Sequence, residues 1–588
     1  MQNTMSNTEN DHDYTSDSDK SDKHKVISDF NVISRRKNNQ KRIIYQILVR
    51  SYYDSNGDGI GDLKGVISKL PYLKSLGVNV IWMTPINKSP WDDNGYDVSD
   101  HEAIEPAFGT ISDLKELVNK AKKFDIDIMF DCVLNHVSTQ NETFIKAING
   151  DKKAQKHFIF RSGKKNNEPP TKLDSVFGGS AWEYVPKINK YYLHIFAKSQ
   201  ADVNWENPAT RKKMISHVLF WKKLGIKMFR YNSIDHISKS DLTKNCDDYD
   251  CTIYTNGQKV HKYLQEIKDA CANTEDVVFH FGEITSKNID ELIKNGRNDF
   301  DGVFIAPQFC SDKINRSKWT HDINYFIKLK RDLDEILTKL LNANILPVIS
   351  FENHDESRAN SRFGDDKEFR KECSTMLLAT QIMLPGIPCI YQGQEIGMTN
   401  DDFDELDMFE DVANIDFVNK LSEKGASKKD ILNILNRFAR DKARTAMQWD
   451  SSKNAGFSKF DENQTRNVTG LLQPPKVNKN YKEINVKNDL KSDFSIIRFM
   501  QELIKIRKNY KEITYGNYQM LLKEDTELFA FVRKYGEHEI LTISNFSSDS
   551  VKVPLTVNNY KLLLSNYGDL KLRKNMALKP YQTLILYR

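Results

Sequence analysis

From Lys41 the chain repeats one unit: a short apolar run, a turn, then a stretch with apolar residues at helical spacing. RIIYQILVR leads into GVISKLPYLKSLG, VNVIWMTP into TISDLKELVNKAKKF, and IDIMFDCVLNH, after a long excursion, into TRKKMISHVLFWKKLG. The unit returns through IKMFRYN, VVFHFGE, FDGVFIAP, ILPVISFENHD and IPCIYQGQE, which makes eight strand candidates. Near-continuous apolar runs are what strands buried on both faces need, and such strands joined by helices form a parallel sheet. Eight of them close an α/β fold of the (β/α)8 TIM barrel type. An open doubly wound sheet is the alternative that periodicity leaves standing.

Two departures from the repeat set the domain plan. The segment after His136 is too long for an ordinary loop and carries FGGSAWEYVPKINKYYLHIF, so an inserted lobe with strands of its own is expected after strand 3, over residues 137–200. After SIIRFMQELIKIRKNY the pattern changes to short alternating runs, LFAFVRKY, EILTISNFS, KLLLSN and TLILYR. These read as a C-terminal antiparallel β domain over 513–588. The barrel then occupies 41–136 and 201–512, with an insertion after strand 8 over about 398–486. Residues 1–40, with TENDHDYTSDSDKSDKHK at their centre, cannot bury enough apolar surface to offset their ordering entropy and are expected to form a disordered polar tail.

With 588 residues, 39% of them hydrophobic, the chain can build one large core and a smaller one. A formal net charge of +5 is small for this length and gives no electrostatic footprint for nucleic acid, so no nucleic-acid partner is expected. The seven cysteines, Cys132, Cys246, Cys251, Cys271, Cys310, Cys373 and Cys389, form no C-x-x-C pair and point to neither a zinc site nor a disulfide framework. No apolar run serves as a signal peptide or as a membrane span of about eighteen residues. A soluble, cytoplasmic protein without a membrane partner is expected.

Reactive groups in such a barrel stand at the C-terminal ends of the strands. Here the apolar runs finish in DCVLNH, RYN, FGE and ENHD. Any single polar ending serves equally well as a helix cap, but four on one rim point to a site. Glu283 and Asp355 end the fifth and seventh runs, and facing carboxyl groups are what glycoside cleavage uses.

Beyond these endings the chain carries DSNGDGIGD, DDNGYDVSD, FGGSAWEY, QADVNWENP, NHD, IYQGQEIGMTN, ARTAMQWD, NAGF and NYKEIN, spread from about Tyr52 to Asn485. On these motifs it resembles the α-amylase superfamily, glycoside hydrolase family 13, and within it the oligo-1,6-glucosidases, α-glucosidases and trehalose-6-phosphate hydrolases. The resemblance implies a catalytic barrel, an inserted lobe and a C-terminal β domain, with a small carbohydrate as ligand. It places the general acid/base on Glu283 and the transition-state-stabilising aspartate on Asp355. It also implies a glucose pocket in which Asp93 and Tyr96 hold and stack on the sugar, His136 and His354 bond its hydroxyls, Phe196 and Gln200 line the wall, and Arg230 and Arg440 add donors.

The family's nucleophile, two residues after the arginine of F-R-x-D, falls on Asn232. A retaining glycosidase forms its covalent intermediate through a carboxylate, whose charge also stabilises the oxocarbenium-like transition state. An amide supplies neither. Hydrolysis is therefore expected to be impaired, and the alternative is a non-catalytic sugar-binding or regulatory protein on the same scaffold. The surroundings have changed too: where the family commonly reads D-G-F-R-M-D-V, this chain has Lys227, Met228, Tyr231 and Ser233 in K-M-F-R-Y-N-S. Asp235 sits beyond the strand end and is not expected to substitute.

In DSNGDGIGD, Asp54, Asn56 and Asp58 have the spacing of a Ca²⁺ loop, but the twelfth position is Gly65, so an EF-hand is not expected. The family resemblance instead implies a structural Ca²⁺ or Mg²⁺, held by the side chains of Asp54, Asn56, Asp58 and Asp62 and the Ile60 carbonyl. A polar turn without metal is the alternative.

Overall fold

All eight apolar runs become parallel strands. They are β1 (Ile44–Ile47), β2 (Val80–Met83), β3 (Asp127–Val133), β4 (Met228–Asn232), β5 (Phe279–Glu283), β6 (Gly302–Phe304), β7 (Pro347–Ile349) and β8 (Ile387–Tyr391). The structure, a computed structural model, describes residues 39–588 apart from 166–167, 246–250, 273–276, 286–288, 291–292, 294–298, 306–324 and 461–471. Nearly all of the expected N-terminal tail, with Cys246 and Cys310, lies outside the described residues. Each strand pairs with its neighbours in sequence, and β1 pairs with both β2 and β8. That last pairing closes the barrel and removes the open-sheet alternative.

The period of two along each strand explains where the chemistry sits. Ile44, Val80, Met129, Met228 and Phe281 belong to a core inside the barrel, with Phe304, Val348 and Ile387. Their neighbours Tyr45, Ile81, Phe130 and Phe229 face the other way and join the core between strands and helices. Two residues beyond the inner apolar layer, the same face carries Gln46, Trp82, Asp131, Arg230 and Glu283, with Asn232 one step higher on β4. The candidate site is thus the top layer of the barrel interior.

The outer ring follows helical spacing. In α1 (Ile111–Lys123) Leu114, Leu117 and Ala121 are buried, and Thr110 and Asp113 close a reciprocal capping box at its start. α2 (Pro208–Lys223), α3 (Val260–Ala272), α4 (Tyr325–Asn342), α5 (Arg370–Met383) and α6 (Ile496–Asn509) complete the ring among the longer described helices.

After β3 the chain leaves the barrel. His136–Ser138 pairs antiparallel with Gln200–Asp202, and between them Phe160–Arg161, Trp182–Val185 and Lys190–Leu193 form a small three-stranded sheet. Trp182, Leu193 and Ile195 of this lobe share a core with Leu242 and Tyr254 from the segment after β4. The C-terminal sheet has strands β9 (Asn517–Leu521), β10 (Leu528–Tyr535), β11 (His538–Asn545), β12 (Lys561–Ser565) and β13 (Thr583–Tyr587), antiparallel in the order β9-β10-β11-β13-β12. No helix among the described residues is long and apolar enough to cross a membrane.

Candidate active site

Arg230 organises the centre of the barrel mouth. Its Nη1 lies 2.8 and 3.0 Å from the two carboxylate oxygens of Asp131, and its Nη2 lies 2.5 Å from Glu283 Oε1. The guanidinium also lies 5.0 Å from the centre of the Trp82 ring, where the π face favours a cation. Asp131, fully buried on β3, further accepts from Trp82 Nε1 and Tyr96 Oη, each at 3.1 Å. Burial pushes its carboxyl up to about 6, with Arg230 working in the opposite direction.

On the other oxygen of Glu283, Oε2, three donors converge: the Asn232 Nδ2 amide at 3.0 Å, the Ser233 main-chain N–H at 2.8 Å and, more distantly, the Ser233 hydroxyl at 3.4 Å. Both Glu283 oxygens therefore act as acceptors here. Ser233 has φ 41° and ψ 46°, the left-handed region that a serine enters only under constraint from its surroundings. Asp235 is buried in the short 3-10 turn that follows and accepts from the Thr285 N–H at 3.1 Å, so it braces the loop after β5.

Asp355 stands in the loop that follows β7, between two arginines. Arg440 Nη1 and Arg444 Nη2 each lie 3.0 Å from its Oδ1, and His354 Nε2 lies 3.1 Å from its Oδ2. Burial works to raise this carboxyl, but the charges of His354, Arg440 and Arg444 outweigh it and hold it well below the usual carboxylate range. Arg440 reaches on to Asp93 at 2.9 Å and to Asp411 at 2.8 Å, and Arg444 pairs with the other oxygen of Asp411. Two arginines thus bind three carboxylates, a network whose members hold one another in place.

The remaining expected residues close the wall. Gln200 donates to Asp93 Oδ2 at 2.9 Å and lies 3.3 Å from His136 Nε2. Burial takes the His136 imidazole down to about 4, so it stands neutral at neutral pH. Tyr96 stacks on His354 with ring centres 5.2 Å apart and planes 14° from parallel. Phe196, half-buried in the inserted lobe, lies against His136, His236 and Phe177, and Phe177 in turn packs over the Arg440 guanidinium at 5.0 Å. Every residue expected at the pocket is therefore within one connected cluster. The sequence reading did not single out Asp131, Trp82, Gln46, Asp411 or Arg444. Asp131 was findable, because it lies in DCVLNH two residues past the inward-facing Met129. Asp411 carries no such signal, since only the fold brings it to the site.

The Asp54 loop lies apart from this cluster. Asp54 Oδ1 accepts from the N–H groups of Asn56 at 3.0 Å and Gly57 at 2.7 Å, and its Oδ2 accepts from Gly59 N at 2.8 Å and from Ser458 Oγ. Asp62 caps the helix Leu63–Ser68 by accepting from Gly65 N. The donor types, carboxylate, amide and carbonyl oxygen, are those a hard cation takes. The side chains instead accept within the loop, Asn56 Oδ1 from Asp58 N at 2.9 Å and Asp58 Oδ1 from Ile60 N at 2.8 Å, and no group of three or more His, Cys, Asp or Glu among the described residues is placed to hold a metal. Burial raises the Asp58 carboxyl, and the charges of Asp54 and Asp62 add to the rise.

Comparison with known proteins agrees with this architecture. Residues 46–516 match the family described as alpha amylase, catalytic domain, and residues 528–585 match the alpha-amylase SusG C-terminal domain. The chain is 36% identical over 557 residues to a trehalose-6-phosphate hydrolase of Bacillus subtilis, covering 93% of this chain and 97% of that protein. It is 36% identical over 567 residues to an oligo-1,6-glucosidase of Parageobacillus thermoglucosidasius, covering 93% and 98%. The crystal structure of Bacillus licheniformis trehalose-6-phosphate hydrolase superposes with a TM-score of 0.85 at 36% identity, covering 93% of this chain and 99% of that one. With the match running through barrel, lobe and C-terminal sheet alike, the chain belongs to the α-amylase family, glycoside hydrolase family 13.

Proposed function

We propose that the protein binds the terminal glucose of short α-glucosides in the pocket between Asp93, His136, Arg230, His354, Asp355 and Arg440, and that Asn232 keeps hydrolysis slow. The relatives named for trehalose 6-phosphate and for oligo-1,6-glucosides support the substrate class. One observation carries the reading. An uncharged amide occupies the end of β4, 3.0 Å from Glu283, inside a pocket whose other charged groups are all present and paired. Loss of a central catalytic group commonly costs on the order of 10³-fold, about 4 kcal/mol of barrier. Binding depends on the retained hydroxyl-directed groups and does not need a nucleophile. The alternative of a sugar sensor that never turns over uses the same pocket and differs only in rate.

The test pairs two measurements on purified protein: calorimetric binding of glucose and isomaltose, and turnover of p-nitrophenyl α-glucoside. Binding with little turnover in the wild type, and faster turnover in Asn232→Asp, is the expected result. Ordinary turnover by freshly made wild type, about 1 to 10³ per second, would sink it, as would failure to bind any of these sugars.

A further inference from the structure

One carboxylate oxygen touches both ends of a reaction that asparagine can undergo with its own chain. Glu283 Oε2 lies 3.0 Å from the Asn232 Nδ2 amide and 2.8 Å from the Ser233 main-chain nitrogen, with the Ser233 hydroxyl 3.4 Å away. In deamidation the following residue's main-chain nitrogen is the nucleophile and the side-chain amide is the leaving group. We propose that Asn232–Ser233 is a deamidation site served by Glu283, through which the chain makes the aspartate that position 232 lacks as encoded.

The step balances with water as its only co-reactant. Glu283 takes the proton of the Ser233 N–H, and the nitrogen attacks Asn232 Cγ to form a cyclic imide. The Cγ–Nδ2 bond breaks, and the proton on Glu283 passes to Nδ2, so ammonia leaves and the carboxylate is restored. Water then adds at Cγ, the Cγ–N bond breaks, and the main-chain nitrogen regains a proton, leaving a side-chain carboxyl. Addition at the main-chain carbonyl opens the ring the other way and gives isoaspartate.

Three features of the site favour this course. Arg230 Nη2, 2.5 Å from Glu283 Oε1, pairs with the negative form of Glu283, the form able to accept a proton. Ser233 has left the extended region, and its N–H is directed to the carboxylate and not to a neighbouring strand, so the attacking nitrogen is free of the ladder. The Glu283 side chain is 23% exposed, which gives water access to the ring.

The inference concerns the same residue as the proposed function, and the two are separable. Full-length protein, purified cold, is aged near neutral pH in heavy-oxygen water, and the peptide containing residue 232 is followed by mass spectrometry that resolves aspartate from isoaspartate. A synthetic peptide of residues 229–238 sets the unassisted rate. Residue 232 is expected to convert at least about tenfold faster in the folded protein than in that peptide, with heavy oxygen incorporated, and to lose this advantage in Glu283→Gln. Turnover of p-nitrophenyl α-glucoside should rise with the converted fraction. A folded-state rate no faster than the peptide's overturns the proposal, and so does an undiminished rate in a folded Glu283→Gln. If that variant fails to fold, wild type compared with its urea-unfolded form decides: acceleration on folding supports the site and slowing refutes it. Conversion without turnover, in a protein whose Asn232→Asp variant is also inactive, leaves the deamidation site standing and removes the reading of position 232 as a nucleophile site.

Discussion

Asparagine and aspartate fill nearly the same space, so exchanging them at position 232 changes charge and reactivity and leaves the packing alone. Asn232→Asp is accordingly expected to raise α-glucoside turnover on the order of 10³-fold, and adding Glu283→Gln should return it to background by removing the proton donor. Recovery short of this would point to Tyr231 and Ser233, because a nucleophile must be placed to within about half an ångström. A second prediction concerns pH. His136 is taken down to about 4 by burial, so between that value and its ordinary 6.5 the unfolded chain binds a proton that the folded one refuses. Its contribution is present above pH 6.5 and is lost as pH falls through 4, on the order of 3 kcal/mol in all. The melting temperature of His136→Asn should therefore fall less steeply than that of wild type over this window, and parallel slopes would show that His136 is not the group concerned. Strand-end motifs brought forward Glu283, Asp355 and position 232, and the family resemblance brought forward Asp93, Tyr96, Phe196, Gln200 and Arg440 from the loops and the lobe. Arg444 lies within ARTAMQWD but was not singled out, and Asp411 joins the site only through pairs made in space, which no local period marks.

At the scale of elements, the strands were legible because burial on both faces leaves an almost unbroken apolar run, and β1 and β8 are buried at every position. What the pattern does not carry is how the inserted lobe is fastened down. Lys239, just after β4, lies 2.7 Å from Asp202 Oδ1 and 2.8 Å from Asn135 Oδ1, both buried, and Asp202 Oδ2 accepts from Ile195 N inside the lobe. Removing one member of a buried pair strands the other's charge, which typically costs about 3–5 kcal/mol. Lys239→Met should therefore lower the melting temperature and speed proteolysis within the lobe, whereas the double change with Asp202→Leu should recover part of the loss. Equal damage in single and double variants would mean that the pair's charges are not what holds the lobe. The Asp54 loop gives a second test. If a divalent ion offsets the burial, and the smaller repulsion from Asp54 and Asp62, that lift Asp58, chelation lowers the melting temperature and Ca²⁺ restores it. Unchanged melting after confirmed metal removal would leave the hydrogen bonds to Asp54 and Asp62 as the sole support of the turn.

Over the whole molecule, the C-terminal domain has a core of its own on one face of its sheet, around Leu541, Ile543 and Leu584, and packs the other face, with Phe529, Phe531 and Ile585, into the core between the barrel's strands and helices. In α5 every residue from Cys373 to Met383 is buried, a pattern no helix on the outside of a barrel shows unless something covers it. The cover is the C-terminal sheet: Thr380 Oγ1 meets Ser544 Oγ at 2.9 Å on β11, Asn566 Nδ2 donates to Thr375 Oγ1 at 3.0 Å, and Phe546 packs on Phe326 of α4 with ring centres 4.9 Å apart. Lys330 of α4, wholly buried, donates to the carbonyls of Leu522 at 2.7 Å and Leu528 at 3.1 Å, with the Asp525 carbonyl also in contact. Lys330→Met keeps the apolar stem and strips those carbonyls of their donor, a loss of about 1–3 kcal/mol that a thermal melt resolves. Deleting residues 517–588 exposes the sheet-facing side of α5 and takes from Lys330 the carbonyls to which it donates. The truncated chain should aggregate or unfold, and Lys330→Met should move it little further, because the interaction is already gone. A truncated barrel that stayed soluble and melted cooperatively near the full-length temperature would mean that α5 is stable without its cover, and the C-terminal sheet would then be an appended module.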